Sequence, residues 1–341
     1  MGTRFVNHGD KMRRRTAWAA GLLAVCIATS LFWLERLSEQ TLLINEPTLI
    51  IVAPGSNMTR LGQQLIDAGH SGQSLWQLRL LDRLLGSKGS IKAGEYQVEP
   101  GSSILALLDQ VRSGQVYTRK LTFPEGWTLA QWRTQLQTAE GLRPLTNSMT
   151  EAELAVAVTG AASPLEGWLF PETYHYTRGD SDLEILKQAH QAMRNQLNLL
   201  WTTHPHQDLQ NPKALLTLAS IVERESGRDE DRSKIARVFL NRLKKGMRLQ
   251  SDPTIIYGLG AAFDGDLKRH HLTSDGPFNT YTRAGLPPTP ICNPGASALA
   301  AVLTPAEGEW LYFVGRGDGS SQFSLDLAAH NRAVNQYQRG K

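Results

Sequence analysis

The chain has 341 residues, of which 41% are hydrophobic and 20% are charged, and this length is sufficient for two domains. Its formal net charge of +4 arises within residues 1–15, because the remaining residues carry equal numbers of basic and acidic side chains. A nucleic-acid-binding protein carries its basic surplus on the folded part of the chain, so we expect no nucleic-acid partner.

An uncharged segment follows the basic tail. Residues 16–34 (TAWAAGLLAVCIATSLFWL) contain no charged side chain, and about 20 apolar residues suffice to cross a bilayer. The arginines that precede it predict a cytoplasmic tail (residues 1–15), a single inner-membrane span and a periplasmic remainder. A cleaved signal peptide and a lipoprotein anchored at Cys26 are the alternatives. The bulky Trp33, Leu34 and the charged Glu35 are atypical of a signal-peptide cleavage site.

A repeated pattern follows a polar tether that we predict at residues 35–46. Residues 52–69 and 98–114 each predict a strand, a Pro-Gly turn, a Ser or Thr cap and an amphipathic helix closed by glycine. Residues 121–136 form a looser third copy. Small β-α units of this kind resemble LysM modules, which bind N-acetylglucosamine polymers, so residues 47–120 are expected to form a LysM-like module. A structural or spacer role is the alternative.

The middle of the chain, residues 121–208, is expected to be a connecting α/β segment. Aromatic residues at alternate positions from Trp168 to Tyr176 predict a strand with one aromatic face, and residues 182–201 predict a helix. An aromatic face can stack on sugar rings or pack in a core.

The C-terminal part, residues 209–341, predicts a mixed α/β domain, so the fold class of the whole chain is α+β. A helix begins near Pro212, which suits a first turn, and a second is expected at residues 231–246, closed by Gly246. Glycine- and proline-rich loops with interleaved apolar residues follow. A strand at residues 310–315 and a helix through Asn331 complete the domain.

Two glutamates lie two residues apart in the first of these helices. Glu223 and Glu225 flank opposite edges of an apolar arc, so periodicity does not choose between them. A carboxyl group packed against apolar groups has a raised pKa and can serve as a general acid. In the alternative, both glutamates are surface residues that pair with Arg224 and Arg228. The arc consists of Leu215, Leu218, Ala219 and Val222.

Several sequence blocks resemble one known family. LASIVERES, VFLNRLKKGMRLQSDPTIIYGLG, FNTYTRAGLPPTPICNPG and the closing AAHN are similar to the MltG (YceG-like) family of membrane-anchored endolytic murein transglycosylases. The resemblance extends from the apolar segment to the C-terminus. It implies a lyase that cuts the bond between N-acetylmuramic acid and N-acetylglucosamine in peptidoglycan and leaves 1,6-anhydro ends. It also assigns residues 209–341 as the catalytic domain.

The same resemblance assigns individual residues. The catalytic acid of the family directly precedes a Ser or Thr, which here selects Glu225. The implied substrate-binding residues are Asn241, Gln250, Ser251, Asp252, Tyr257, Asn279, Tyr281 and Asn293. No cofactor is implied, and the spacing of the histidines and cysteines predicts no metal site.

The family also implies partners and leaves two alternatives open. Peptidoglycan glycan strands are the implied substrate, and penicillin-binding synthases are the implied protein partners. One alternative is a hydrolytic muramidase, in which Asp252 is the second carboxylate that such a hydrolase needs. The other is a non-catalytic, membrane-tethered adaptor that binds peptidoglycan for the wall synthases.

Overall fold

The protein is described by a computed structural model that covers residues 8–85, 89–204 and 209–339. It combines helices and strands, as the sequence predicts, and divides into two compact units, Met1–Arg119 and Lys120–Lys341. Residues 1–7 of the predicted cytoplasmic tail lie outside the described residues.

The first unit combines an antiparallel pair of strands with helices. Thr48 of β1 lies opposite Val98 of β2, and Val52 lies opposite Gly94. Tyr96 is completely buried in the core that these elements share. In chain order the elements are α1 (His8–Ser38), β1 (Thr48–Val52), α2 (Met58–Asp67), α3 (Leu75–Leu84), β2 (Gly94–Val98) and α4 (Ile104–Ser113).

Helix α1 contains the predicted membrane segment. Its stretch Arg15–Ser38 is apolar and long enough to cross a membrane. The helix continues beyond the predicted span, and Leu37, Leu42 and Ile44 are buried in the core of the first unit. Residues 35–46, predicted as a polar tether, therefore contribute apolar side chains that hold α1 to this unit.

Both predicted strand–turn–helix repeats are present in the first unit. The Ser103 side chain caps α4, which ends at Gly114 in the left-handed conformation (φ +80°). The cap of α2 is Asn57 instead of the predicted Ser or Thr; its side chain accepts from the backbone N–H of Arg60. Helix α3 lies between the repeats and adds a second helix to the strand–helix–strand order that the sequence predicts.

The second unit contains two small sheets and is otherwise mainly helical. β3 pairs with β4, and β5 pairs with β6 in antiparallel register, with Tyr312 opposite Ser324. The elements are β3 (Arg119–Thr122), α5 (Leu129–Gln137), α6 (Glu151–Thr159), β4 (Thr173–Tyr176), α7 (Asp182–Thr203), α8 (Pro212–Glu225), α9 (Asp229–Lys244), α10 (Asp252–Leu259), α11 (Arg269–Thr273), α12 (Ala296–Leu303), β5 (Tyr312–Gly315), β6 (Ser321–Ser324) and α13 (Leu327–Val334).

The predicted aromatic strand is shorter than expected. Only Thr173–Tyr176 forms a strand, and Trp168 lies before it, against His190 of α7. Pro171 has no backbone N–H to donate to a sheet, and Gly167 adopts a left-handed conformation (φ +81°), so the chain turns there. The aromatic residues serve the core, and the prediction of one continuous aromatic face was wrong.

Helix α8 lies at the centre of the second unit. Asn211 caps it through the backbone N–H of Ala214, and Pro212 occupies its first turn, as predicted. All residues from 215 to 222 are buried, so the helix is enclosed on every side and the predicted apolar arc was too narrow. The last turn of the helix reaches the surface at Arg224, and Glu223 and Glu225 on either side of it are partly enclosed.

Candidate functional site

The two glutamates of α8 lie in different surroundings. Both oxygens of Glu223 accept hydrogen bonds: Oε2 from the backbone N–H of Gly295 (2.9 Å) and Oε1 from the Arg232 guanidinium (3.3 Å). The Glu223 side chain is only 6% exposed. The predicted surface pairing with Arg224 or Arg228 is therefore wrong for Glu223, whose partner is a buried arginine of α9.

A second carboxyl group closes this edge of the helix. The Glu125 carboxyl group occupies the space that a Cβ atom at residue 295 would take, so a larger residue there would displace this side chain. Burial, followed by the charge of Glu223, raises the pKa of Glu125. The edge around Glu223 is thus filled by protein groups.

The opposite edge of α8 holds Glu225, which is partly exposed. The hydroxyl of Ser251 donates to Oε1 of Glu225 at 2.6 Å. Burial raises the pKa of Glu225 to about 7, although the Ser251 hydrogen bond lowers it; Asp252 adds a further increase and Arg242 a decrease. Glu225 therefore holds its proton in a substantial fraction of molecules near neutral pH.

The segment before α10 brings the partners of Glu225 into place. Gln250 is exposed and adopts φ +51°, a conformation that residues other than glycine rarely occupy. Its N–H donates to the carbonyl of Thr280 (3.1 Å), and the N–H of Ser251 donates to the Thr280 hydroxyl (2.9 Å). The strained turn is thus held by a neighbouring loop, and it points Ser251 toward Glu225.

Asp252 and Tyr281 complete this group. The Tyr281 hydroxyl donates to Oδ1 of Asp252 at 2.7 Å, and burial raises the pKa of Tyr281. Of the predicted site residues, Glu225, Gln250, Ser251, Asp252 and Tyr281 therefore belong to one continuous arrangement of side chains and turns.

Arg242 is a charged neighbour that the sequence analysis missed. Its guanidinium donates to the carbonyls of Leu311 (2.6 Å) and Leu249 (2.7 Å), and its charge lowers the pKa of Glu225. A signal was present in the sequence: Arg242 follows Ile235, Val238 and Phe239 at helical spacing, on the buried face of α9. A charged residue at such a position needs buried partners.

The three predicted asparagines bind protein groups. Asn241 donates to the carbonyls of Gly308 (3.1 Å) and Trp310 (3.0 Å). Asn279 donates to three carbonyls at the end of α11, the shortest bond being to Ser274 (2.7 Å), and accepts from the N–H of Tyr281. The amide of an asparagine replaces a backbone peptide group in such contacts.

The side-chain amide of Asn293 also forms hydrogen bonds with protein groups. It has no exposed surface, accepts from the N–H of Leu169 (3.0 Å) and donates to the carbonyl of Trp127 (3.0 Å). Asn293 therefore has no surface free for a ligand in this structure, and the nearly buried Asn279 has little. Both residues hold the loops around the site.

Tyr257 lies on a different side of α10. It packs against Phe278 (ring centroids 4.9 Å apart), and burial followed by the charge of nearby Glu166 raises its pKa. Both residues line a cavity of about 840 Å³, to which α5, α6 and Arg224 also contribute. Tyr257 is therefore not among the partners of Glu225.

Glu166 is a second carboxyl group whose pKa burial raises to about 7. Both of its oxygens accept from the N–H of Leu129 (3.1 Å), and the Asn293 amide lies at 3.5 Å. These contacts join the start of α5 to the loop of Asn293. Glu166 was not among the residues that the sequence predicted for the site, although apolar residues flank it (Leu165 before it and Trp168–Phe170 after Gly167).

Within residues 8–85, 89–204 and 209–339, the side chains form no cluster of three or more His, Cys, Asp or Glu that could hold a metal. The chemistry that these residues can perform is proton transfer. Glu225 can donate a proton near neutral pH and, once ionised, can accept one back.

Comparisons with known proteins identify the family of the chain. The model of the YceG-like family matches residues 50–336. The endolytic murein transglycosylase of Bacillus subtilis is 35% identical over 273 residues, which cover 74% of each chain. That of Streptococcus pneumoniae is 29% identical over 323 residues, covering 85% of this chain and 58% of the relative. A solved yceG-like protein of Listeria monocytogenes is 27% identical, with a TM-score of 0.50 over 84% of this chain and 99% of that one.

Proposed function

The chain belongs to the YceG-like family, and on this premise we propose that it is an endolytic murein transglycosylase. It is a lyase that cleaves the β-1,4 bond between N-acetylmuramic acid and N-acetylglucosamine within glycan strands and leaves 1,6-anhydro ends. One observation carries the assignment of the acid: burial raises the pKa of Glu225 to about 7 in a partly exposed position at the end of α8.

The mechanism needs one carboxyl group in two states. Protonated Glu225 donates its proton to the glycosidic oxygen as the bond to the anomeric carbon breaks. The resulting carboxylate accepts the proton of the C6 hydroxyl of N-acetylmuramic acid, whose oxygen attacks the same anomeric carbon. Because this nucleophile belongs to the substrate, it has a large proximity advantage, and no water is consumed.

Ser251 and Asp252 adjust this acid. Since the Ser251 hydroxyl donates to Oε1 of Glu225, we assign the proton of the neutral carboxyl to Oε2, from which it is donated to the glycosidic oxygen. Asp252 favours the protonated form electrostatically and is held by Tyr281. We assign Gln250 and Tyr281 to the substrate surface, and Asn241, Asn279 and Asn293 to holding the loops.

The first unit supplies attachment and glycan binding in this proposal. Its β1–α2–α3–β2 order, with antiparallel strands, supports a LysM-like module that binds N-acetylglucosamine polymers. Helix α1 is proposed as a single inner-membrane anchor with a cytoplasmic N-terminus and periplasmic catalytic unit. Penicillin-binding synthases, which make the nascent strands, are the proposed partners.

Mass spectrometry of peptidoglycan products tests the proposal. The full chain is expected to release products lighter by one water at the muramic end, and Glu225→Gln is expected to release none. Glu230→Gln, at an exposed glutamate in the first turn of α9, is the matched control and should retain activity. Hydrated reducing ends would instead indicate a muramidase, with Asp252 as its second carboxylate. Inactivity of the wild-type chain with glycan binding retained would favour the adaptor.

A further inference from the structure

Two helices of equal length in the first unit differ in the composition of their solvent-exposed faces. Helices α2 and α3 each contain ten residues and pack on the same core. The exposed residues of α2 are all polar, whereas those of α3 are two large apolar residues and two arginines. The exposed set of α2 is Thr59, Arg60, Gln63, Gln64 and Asp67, and that of α3 is Trp76, Arg79, Arg83 and Leu84.

The exposed apolar surface of α3 extends beyond the helix. Trp76 is 60% exposed and Leu84 is 57% exposed, and the neighbouring Leu43 and Leu85 are also exposed. The acidic residue of α3, Asp82, is engaged by Arg112 of α4. The outward face of α3 is therefore apolar and basic, which is the composition of a helix that lies in a membrane interface.

The contact between α3 and α1 determines where the outward face of α3 lies relative to the membrane surface. Trp33 lies at the outer end of the uncharged run, one residue before Leu34 and next to the charged Glu35 and Arg36. Tryptophan favours the boundary between hydrocarbon and headgroups. The ring of Trp76 stacks on that of Trp33, with centroids 5.9 Å apart and planes 10° from parallel. When α1 crosses a bilayer, Trp76 therefore lies at the same boundary.

The attachment of α1 to the first unit is firm. Leu37 is buried in the core of this unit, and its carbonyl accepts from the buried Gln73 side chain at 2.7 Å. Gln73 precedes Ser74, which begins α3. The membrane-crossing helix and α3 are thus held together directly, without a flexible linker between them.

We propose that the outer face of α3 rests on the membrane surface and binds anionic phospholipid headgroups. Trp76 and Leu84 enter the interface, and Arg79 and Arg83, four residues apart and about 6 Å along the helix axis, contact the phosphates. This surface is a second contact beside α1, and it fixes the orientation of the first unit above the bilayer. The inference rests on the proposed membrane anchor.

Spin labels on the full chain in liposomes with anionic phospholipid test the inference. In a Cys26→Ala background, where the remaining Cys292 is fully buried, a single cysteine is placed at Leu84, Gln63 or Leu22. Leu84→Cys reports on α3, Gln63→Cys is the matched control on α2, and Leu22→Cys reports on the anchor. Collisions with oxygen, which concentrates in lipid, are compared with collisions with a water-soluble nickel chelate.

The label at position 84 is expected to show an oxygen-to-nickel ratio several-fold above that at position 63. Exchanging both Arg79 and Arg83 for glutamate, or omitting anionic lipid, should lower the ratio at 84; no change in either case would overturn the role of the headgroups. A ratio at 84 equal to that at 63, with the label at 22 in lipid, would overturn the α3 contact and leave the anchor intact.

Two further outcomes separate the inference from its premise. Nickel-accessible labels at both 22 and 84 would overturn the anchor and the α3 contact together, whereas the products of peptidoglycan cleavage would be unaffected. Loss of collisions with both reagents at 84 would mean that a second copy of the chain covers α3, and would overturn the lipid contact.

Discussion

The two edges of α8 show how a protein assigns different tasks to the same residue type. Glu223 faces the cation Arg232 and the N–H of Gly295, and both of its oxygens accept hydrogen bonds. Glu225 receives one hydroxyl hydrogen bond and lies near another acidic side chain, Asp252. Both side chains are largely enclosed, so the difference lies in their neighbours. At Glu225 the hydrogen bond from Ser251 and the charge of Arg242 only partly offset the effect of burial on the pKa.

The largest expected effect is the loss of turnover when Glu225, and not Glu223, is replaced. Glu225→Gln removes the proton donor and should lower turnover by about 10²–10⁴-fold, because general acid catalysis contributes that much. Release of anhydro-muropeptide products measures it. Wild-type turnover by this variant, at a normal melting temperature, would contradict the assignment of Glu225.

Glu223 is expected to affect stability. Glu223→Gln removes the buried one of the two carboxylates that pair with Arg232, leaving Asp229 (2.9 Å), and should reduce the free energy of unfolding by about 2 kcal/mol. Denaturant unfolding of the full chain in detergent measures the loss, and turnover per folded molecule should remain near that of the wild type. If stability stayed unchanged while activity disappeared, the roles of the two edges would have to be exchanged.

Glu166 extends the comparison, since its pKa is also raised to about 7 while backbone donors occupy its oxygens. A pKa raised on folding means that the folded state binds the proton more tightly. Stability is therefore fully present below the unfolded pKa and is lost as pH rises through 7. Between pH 5.5 and 8 the free energy of unfolding should lose about 2 kcal/mol through Glu166.

Glu166→Gln should remove this pH-dependent contribution to the free energy of unfolding. Thermal unfolding at the two pH values should show a smaller loss of stability in the variant than in the wild type, with Glu230→Gln as the control. A pH dependence identical to that of the wild type would show that Glu166 keeps an ordinary pKa.

The smallest expected effects are opposite shifts in the pH dependence of turnover. The acid must be protonated, so the rate should fall as pH rises through the pKa of Glu225. Ser251→Ala removes a hydrogen bond that lowers this pKa and should move the midpoint to higher pH; Asp252→Asn removes a charge that raises it and should move the midpoint to lower pH. Shifts of both variants in the same direction would contradict the proposed arrangement.

Local signals predicted much of the fold, whereas the partners of the site came from distant residues. Pro212 and Ser103 were predictable because a helix start depends on neighbouring residues. Periodicity placed Glu223 and Glu225 at opposite edges and went no further, since their partners lie up to 72 residues away. Without the family resemblance, periodicity would not have chosen between the two glutamates.

The roles of the asparagines could not be predicted from their sequence neighbours either. An asparagine in a loop can bind a ligand or replace a peptide group, and the residues beside Asn279 and Asn293 do not distinguish the two. Asn293 bonds with Leu169 and Trp127, 124 and 166 residues away along the chain. No local pattern contains such a contact.

These long separations have a consequence for how the second unit folds. Bringing Asn293 to Trp127 closes a loop of 166 residues, whose entropy must be lost before the contact contributes. Contacts of such high order are made late and slowly. A growing chain cannot join the start of α5 to the loop at Asn293 until most of the second unit has been synthesised.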